Sequence, residues 1–153
     1  MAKRVIAGID EFKTLVGTTL GVSEWYEVTQ HRIDAFAEAT GDDQAIHCDA
    51  PYAQQHSPYG TTIAHGYLTL SLGPALARQV FTIDGLRMAI NYGVNRVRFP
   101  NAVKVDSRVR LSIELLEVKE FDGGVQATFQ QTFEIDGEAK PACVAETVGR
   151  LYV

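Results

Sequence analysis

The sequence lacks the features that identify membrane-spanning, secreted and nucleic-acid-binding proteins. Its 153 residues include only 2 cysteines and 5 prolines, and no apolar run approaches the roughly 20 residues that span a bilayer. Residues 1–9 lack the long apolar stretch of a secretory signal peptide. Positive charge is not in excess, because 14 Lys and Arg stand against 19 Asp and Glu, a net charge of −5. We therefore expect a cytoplasmic protein with no overall attraction to membranes or nucleic acid.

The two cysteines, Cys48 and Cys143, lie in unrelated contexts without the spacing of metal ligands. We interpret both as small buried or half-buried side chains rather than nucleophiles. The remaining composition, with 46% apolar and 22% charged residues, is that of an ordinary globular protein. At this length the chain can bury a sizeable core, and we expect a single domain over residues 1–153.

The first half of the chain is predicted to be helical and irregular. Residues 20–28 alternate in polarity, which is typical of a strand. A helix should begin after Thr29 and end at Gly41, because threonine caps helix N-termini and glycine adopts the left-handed conformation at C-termini. Residues 51–55 are predicted to form one further short helix.

A longer helix is predicted over residues 65–81. It is apolar on more than one face, which indicates that it lies in the middle of the fold. Pro74 removes a backbone donor within it, and we expect a kink at that point.

The second half of the chain changes to an apolar period of two, which is typical of half-buried strands. Strands are predicted at residues 88–99, 108–115, 125–135 and 142–153, with a bulge at 115–116 and turns at 122–124 and 136–137. The sum is an α+β fold, an antiparallel sheet of about five strands curled around one long central helix. Such a sheet leaves an edge strand uncovered, so we expect a homodimer through that edge.

Asp42 and His47 are the first residues that suggest chemistry. His47 lies five residues after Asp42, across a loop short enough to aim both side chains at one point. A carboxylate and an imidazole that share one water form an acid–base pair, and histidine exchanges protons near neutral pH. The spacing alone leaves the alternative open that Asp42 caps a turn and His47 is an ordinary loop histidine.

A second segment leads directly into the apolar helix. Residues 60–66 read GTTIAHG and place Gly66 at the helix start, where its N–H is free and a ligand can approach closely. The helix dipole adds partial positive charge, so the position suits an oxyanion site for a thioester carbonyl. Alternatively, Gly66 only permits tight packing against the sheet, and His65 is a structural histidine.

Together these segments resemble the MaoC-like, or (R)-specific, enoyl-CoA hydratases, a family with the hotdog fold. The family motif is approximately G-D-x-N-P-[hydrophobic]-H, followed farther along by a small residue and H-G. It appears here as GDDQAIH at 41–47 and AHG at 64–66, with a third matching stretch, NYGVNRVRFP, at 91–100. The resemblance covers nearly the whole chain, from about residue 17 to 153, and implies a single MaoC-like hotdog domain.

The sequence departs from the family pattern at two places. Gln44 and Ala45 replace the usual Asn-Pro pair, which keeps the amide one methylene farther out and loses the rigidity of proline. Pro74 stands where some members carry a serine near the site, so no serine is assigned.

The resemblance implies a reaction. Asp42 and His47 would bind the water that adds to C3 of a trans-2-enoyl-CoA, and dehydration of the (R)-3-hydroxyacyl thioester is the reverse. The Gly66 N–H would bind the thioester oxygen, with Gln44 and His65 as further substrate-binding candidates. Because the CoA thioester is the substrate and already polarises the alkene, no cofactor or metal is expected. An acyl-CoA thioesterase and a non-catalytic acyl-thioester binding protein remain alternatives.

The phosphates of CoA require a local basic patch on an acidic chain. Arg96 and Arg98 share one strand face, and Lys104 follows shortly after. They are candidate phosphate contacts, and a solvated strand face is an equally good interpretation. Whether the acyl group arrives on CoA or on an acyl-carrier protein stays open.

Overall fold

The computed structural model describes residues 2–153. Strands and helices follow one another as β1 Arg4–Ile6, α1 Ile9–Thr14, β2 Thr18–Val22, β3 Tyr26–Glu27, α2 Gln30–Thr40, α3 Ala45–Cys48, α4 Ala50–His56, α5 Gly66–Ser71, α6 Gly73–Val80, β4 Phe81–Ile83, β5 Met88–Arg98, β6 Arg108–Phe121, β7 Gly124–Ile135 and β8 Cys143–Tyr152. The α+β class predicted from the sequence is confirmed.

Six strands form one antiparallel sheet in the order β2-β6-β7-β8-β5, with β3 also paired to β6. A separate two-stranded sheet pairs β1 with β4 in parallel. The predicted strand over residues 20–28 is divided into β2 and β3. The division falls at Ser23, whose hydroxyl accepts the Leu111 N–H at 2.9 Å and so replaces a ladder partner. This division gives six strands where about five were expected.

The core lies between the sheet and the two helices α5 and α6. The alternating residues of β6 turn one face inward and are almost fully buried: Val109, Leu111, Ile113 and Leu115. They belong to the same buried cluster as one side of the helices: Leu68, Leu72, Leu76 and Val80. Burial of this apolar surface is the main free-energy gain that holds the helices against the sheet.

The central helix is divided, whereas one long kinked helix was expected. α5 ends at Ser71 and α6 begins at Gly73, with Leu72 between them still near helical angles (φ −70°, ψ −18°). Pro74 explains the division, because it occupies the first turn of α6 and has no N–H to donate backwards. Gly73 permits close packing at this point, since a Cβ there would lie 2.7 Å from the side-chain oxygen of Gln131 on β7.

The local signals around α2 and the hairpins are confirmed. The Thr29 side chain accepts the Arg32 N–H at 3.4 Å, and Gly41 ends α2 in the left-handed conformation (φ 77°). The predicted bulge shows as a register shift between Leu115 and Glu117. A tight turn joins β6 to β7 as predicted. The link from β7 to β8 turns at residues 136–137, as predicted, and continues to Cys143, where β8 begins.

Within residues 2–153, helices of sufficient length and hydropathy to cross a bilayer are not found.

Candidate active site

Asp42 follows directly on the left-handed Gly41 that ends α2, and the chain then runs into α3. Gln44 lies between them and donates its side-chain N–H to the Asp42 carboxylate at 3.1 Å. The amide that replaces the usual Asn therefore contacts Asp42 in this structure. Its longer side chain lets it reach back across two residues.

His47 is buried in α3 and is fixed by a backbone carbonyl. Its Nδ1 lies 2.7 Å from the Ile63 carbonyl oxygen, and the Ile63 N–H donates to the Ile46 carbonyl at 3.1 Å. A carbonyl only accepts, so Nδ1 carries the ring hydrogen and Nε2 of the neutral ring keeps its lone pair. His47 is thus held in the tautomer whose basic nitrogen is Nε2.

Two further residues hold α3, and sequence reasoning missed both. Gln30 donates its side-chain N–H to the His47 carbonyl at 2.7 Å, and its amide oxygen accepts the Thr62 hydroxyl at 2.5 Å. Thr62 is almost fully buried. No sequence motif marks these residues, because the contacts join positions 17 and 32 residues apart.

The residues 62–64 form an extended segment that is held on its other side by residues 103–105. The Val105 N–H donates to the Thr62 carbonyl at 3.0 Å, and the Ala64 N–H donates to the Val103 carbonyl at 2.8 Å. Ile63 and Lys104 form the bridge between the two segments. The carbonyl that orients His47 is therefore itself held by backbone pairing.

His65 joins the predicted pair as a third group. Its Nε2 lies 2.7 Å from the Asp42 backbone carbonyl, and its ring stacks on that of His47 with centroids 3.8 Å apart and planes 25° from parallel. One side-chain ligand atom from each of Asp42, His47 and His65 lies within 4.8 Å of the other two. The predicted convergence of Asp42 and His47 is present in the structure.

Such a cluster can hold a water molecule. Atoms within 4.8 Å of one another lie close enough for one water to bridge two of them with hydrogen bonds of about 2.8 Å. Two histidines and one carboxylate are also a known metal-ligand set. One nitrogen of each ring, Nδ1 of His47 and Nε2 of His65, is already engaged with a backbone carbonyl. A metal ion would therefore have to bind through the other nitrogen of each ring.

The Asp42 carboxylate is stabilised as an anion. The hydrogen bond from Gln44 is the largest cause that lowers the pKa of Asp42, and His65 and His47 lower it further. Removal of the carboxyl group from water opposes this shift. Asp42 is consequently an ionised acceptor at neutral pH.

Gly66 is the first residue of α5, with His65 as its N-cap. The first hydrogen bond of the helix runs from the Thr69 N–H to the His65 carbonyl at 3.2 Å, so the Gly66 N–H precedes the helical ladder. A Cβ on Gly66 would lie 2.9 Å from the Phe99 ring, so the packing interpretation of this glycine also holds. α5 has only six residues, which makes its dipole weaker than that of the long helix predicted.

The candidate basic residues are exposed and lie farther along the chain. Arg96 and Arg98 are on β5, where the Arg98 guanidinium donates to the neighbouring Val97 carbonyl at 2.7 Å. Lys104 reaches the site only through its backbone bridge to Ile63. Contacts between these three side chains and Asp42 or His47 are not seen within the described residues.

The cysteines differ from each other. Cys143 is buried as predicted, and burial raises the pKa of its thiol to about 12. Cys48 is exposed, so its predicted burial is wrong. Its position after α3 leaves it at the surface, but desolvation and the nearby carboxylate of Asp34 raise the pKa of its thiol. Neither cysteine is a reactive thiolate.

An antiparallel sheet packed on a central helical segment defines a protein of the hotdog fold, and Asp42, His47 and His65 cluster beside the first turn of that segment. The MaoC like domain matches residues 11–134. The chain belongs to this MaoC-like family of dehydratases.

The chain is similar to known proteins in both sequence and structure. The 3-hydroxyacyl-thioester dehydratase Z of Mycobacterium tuberculosis is 47% identical over 148 residues, which cover 96% of this chain and 97% of that protein. The (R)-hydratase from A. caviae involved in PHA biosynthesis is 25% identical, with a TM-score of 0.68 and coverage of 85% and 96%. The MaoC-like dehydratase from Rhodospirillum rubrum, 20% identical, has a TM-score of 0.73 with coverage of 90% and 92%.

Proposed function

We propose that this protein is a hydro-lyase that reversibly adds water to a trans-2-enoyl thioester to give an (R)-3-hydroxyacyl thioester. The observation that carries the proposal is the convergence of Asp42 and His47, whose side-chain ligand atoms lie within 4.8 Å of each other, with His47 held so that Nε2 keeps the lone pair. The relative named as a 3-hydroxyacyl-thioester dehydratase and the (R)-hydratase of similar shape support the same reaction class.

The protons of the reaction balance on these two groups. The water donates one hydrogen bond to Asp42 and one to His47 Nε2. As its oxygen bonds to C3, one proton passes to Nε2 and the electrons of the alkene move toward the thioester carbonyl. The protonated His47 then gives a proton to C2, so the water is added and the ring returns to its neutral form.

Gly66 is proposed as the donor to the thioester oxygen. Negative charge collects on that oxygen while C2 is still unprotonated, and a fixed N–H at this point stabilises the enolate. Two features support Gly66 in this role. Its N–H precedes the helical ladder, and the residue directly follows His65, which contacts Asp42. The Gln44 amide would act indirectly, since it is bonded to the Asp42 carboxylate.

CoA is the proposed carrier, with the exposed Arg96, Arg98 and Lys104 as phosphate contacts. An acyl-carrier protein would use the same positive charges against its acidic surface. Neither a metal nor an organic cofactor has a step in the proposed reaction. The thioester itself makes C3 electrophilic, and His47 moves the proton.

A homodimer is also proposed. Within residues 2–153, β5 lies at the end of the sheet order and pairs with β8 alone, so its outer edge carries backbone groups without a strand partner there. Its side chains include exposed apolar residues: Met88, Ile90, Tyr92 and Val94. An apolar open edge of this length favours pairing with a second copy of the chain.

A hotdog acyl-CoA thioesterase is the second candidate. It needs a nucleophile or an activated water directed at the carbonyl carbon, and the raised pKa of the Cys48 and Cys143 thiols removes both as nucleophiles. A non-catalytic acyl-thioester binding protein would not need a buried histidine held in a basic tautomer. These points favour hydration.

Crotonyl-CoA tests the proposal directly. The enoyl absorbance and the free thiol are followed in the same reaction, and the product is analysed for its configuration. Loss of absorbance without thiol release, with (R)-3-hydroxybutyryl-CoA as product, is the expected result. Thiol release would identify a thioesterase. No change across short, medium and branched enoyl chains, on CoA or on an acyl-carrier protein, would overturn the hydratase proposal.

A further inference from the structure

His65 makes contact with both residues of the proposed acid–base pair. It reaches the backbone of Asp42 through Nε2 across 23 residues of sequence, and it reaches His47 through ring stacking. It also packs against Phe36, with ring centroids 4.9 Å apart. One side chain thus connects the Asp42 loop, α3 and the start of α5.

The burial of His65 is not explained by packing alone. The side chain is 2% exposed, and its Nδ1 is a buried polar atom with no hydrogen-bond partner in the described part of the chain. An unpaired buried acceptor is unfavourable for folding. A phenylalanine would fill the same space beside Phe36 without that penalty. The hydrogen bond from Nε2 to the Asp42 carbonyl is what a phenylalanine could not supply, and the purpose of the polar ring should be sought there.

We propose that His65 is a positioning residue of the hydration site, whose Nε2–H holds the Asp42 backbone while its neutral ring supports His47. This inference rests on the proposed function and assigns His65 a role that does not require it to touch the substrate. Since Nε2–H is bonded to the Asp42 carbonyl, Nδ1 is the lone-pair nitrogen of the neutral ring.

The hydrogen bond to Asp42 matters because of where Asp42 stands. It follows the end of α2 and is only half-buried, and its side chain is bonded to Gln44 on the same short loop. The His65 bond ties this loop to the segment that carries Gly66. Displacement of a catalytic group by about 1 Å can cost about 100-fold in rate. The bond therefore sets the distance between the carboxylate, the water and the thioester oxygen.

The ring contact acts on the other partner. A flat ring 3.8 Å from His47 restricts the rotation of that imidazole about its side-chain bonds. When His47 takes the proton from water, it becomes a cation that lies over the face of a neutral ring, which is a favourable arrangement. The contact should thus matter for turnover more than for binding of the substrate.

Matched amide substitutions separate the hydrogen bond from simple packing. In His65→Gln the amide N–H stands about as far from the backbone as Nε2 of histidine and can still donate to the Asp42 carbonyl. In His65→Asn the amide stands at the position of Nδ1 and cannot reach it. His65→Phe keeps a ring against His47 but removes the donor.

Crotonyl-CoA hydration by the four proteins gives kcat and KM, and thermal unfolding gives Tm. We expect kcat to fall roughly 100-fold in His65→Asn and His65→Phe, with KM changed less than about threefold. His65→Gln should recover about tenfold relative to His65→Asn, while Tm of His65→Phe stays at or above that of the parent.

Three results would overturn the inference. These are an unchanged kcat in His65→Phe, equal losses in the Gln and Asn variants, and losses of kcat that simply follow Tm. All three leave the hydratase proposal standing, because the parent protein is active in each. If the parent itself hydrates no enoyl thioester, the proposed function fails first and the role of His65 fails with it.

Discussion

The Nδ1 of His47 lies 2.7 Å from the carbonyl oxygen of Ile63. This contact determines the tautomer of the ring and leaves Nε2 as its only basic atom. It also means that a substitution at His47 can remove the base, the structural hydrogen bond, or both. A useful variant removes one and keeps the other.

His47→Asn keeps the structural hydrogen bond, because its amide nitrogen stands near the position of Nδ1 and can donate to Ile63. It lacks any group at the position of Nε2. We expect kcat for crotonyl-CoA to fall by about 100- to 10,000-fold, with little change in Tm. Cys48→Ala, one residue along the chain and exposed, is the control and should keep full activity. Activity of His47→Asn near that of the control would remove His47 from the mechanism.

Asp42 gives a prediction for pH dependence. Its pKa is lowered in the folded protein, mainly by Gln44. A carboxyl with a lowered folded pKa stabilises the fold above its unfolded pKa, and this contribution is lost as the pH falls through the folded pKa. Gln44→Ala should therefore raise the Asp42 pKa toward its ordinary value, and Gln44→Glu should raise it further by repulsion. Carboxyl NMR titration of the three proteins measures this order, and an unchanged Asp42 pKa in Gln44→Ala would contradict it.

Local sequence signals predicted much of the fold and part of the site. The alternation over residues 109–115 indicates β6, and Thr29 and Gly41 mark the ends of α2, because each signal acts within a few residues. The approach of Asp42 to His47 follows from a short loop. These features depend on near neighbours along the chain, so they are visible in the sequence.

Other parts of the site depend on long-range contacts and have no local signal. Gln30 meets the His47 carbonyl only after α2 and α3 have packed, and Ile63 meets His47 only after its segment pairs with residues 103–105. The central helix is a different case, because its division does have a local signal, Pro74. Its effect appears as a division at Leu72, next to Gly73, which packs closely on Gln131 of β7.

Gln30 should contribute to both stability and turnover. Gln30→Ala leaves the buried Thr62 hydroxyl without its acceptor and the His47 carbonyl without its donor. We expect a loss of about 1–3 kcal/mol in the free energy of unfolding, measured with urea, and a lower kcat. Gln130→Ala on the exposed side of β7 is the matched control and should change neither. Equal free energies of unfolding for the two variants would show that the Gln30 hydrogen bonds make no net contribution to stability.

The open edge of β5 gives a prediction for assembly. Val94→Lys adds a charge to the proposed dimer edge and should convert the dimer to a monomer in analytical ultracentrifugation. Val16→Lys is the control, because Val16 is similarly exposed (43% against 48%) but precedes β2 at the opposite end of the sheet. A parent protein that is already monomeric, or a Val94→Lys protein that stays dimeric, would contradict pairing through β5.

Gly66 offers a way to delete one backbone donor. It is the first residue of α5, a position that accepts proline, and the preceding His65 has the extended angles (φ −59°, ψ 140°) that a residue before proline adopts. Gly66→Pro removes the N–H, whereas Gly66→Ala keeps it. Both add a Cβ against Phe99, so each is made in a Phe99→Leu background that relieves the 2.9 Å contact.

The difference in kcat between these two double variants measures the contribution of the Gly66 N–H alone. If it holds the thioester oxygen in the transition state, the proline variant should have a kcat about 100- to 1,000-fold below that of the alanine variant. Far-ultraviolet circular dichroism and Tm check that α5 is still formed in both. Equal kcat values in two folded proteins would exclude the Gly66 N–H as the oxyanion donor. The glycine would then be explained by its close packing on Phe99, and the charge on the thioester oxygen would need another donor.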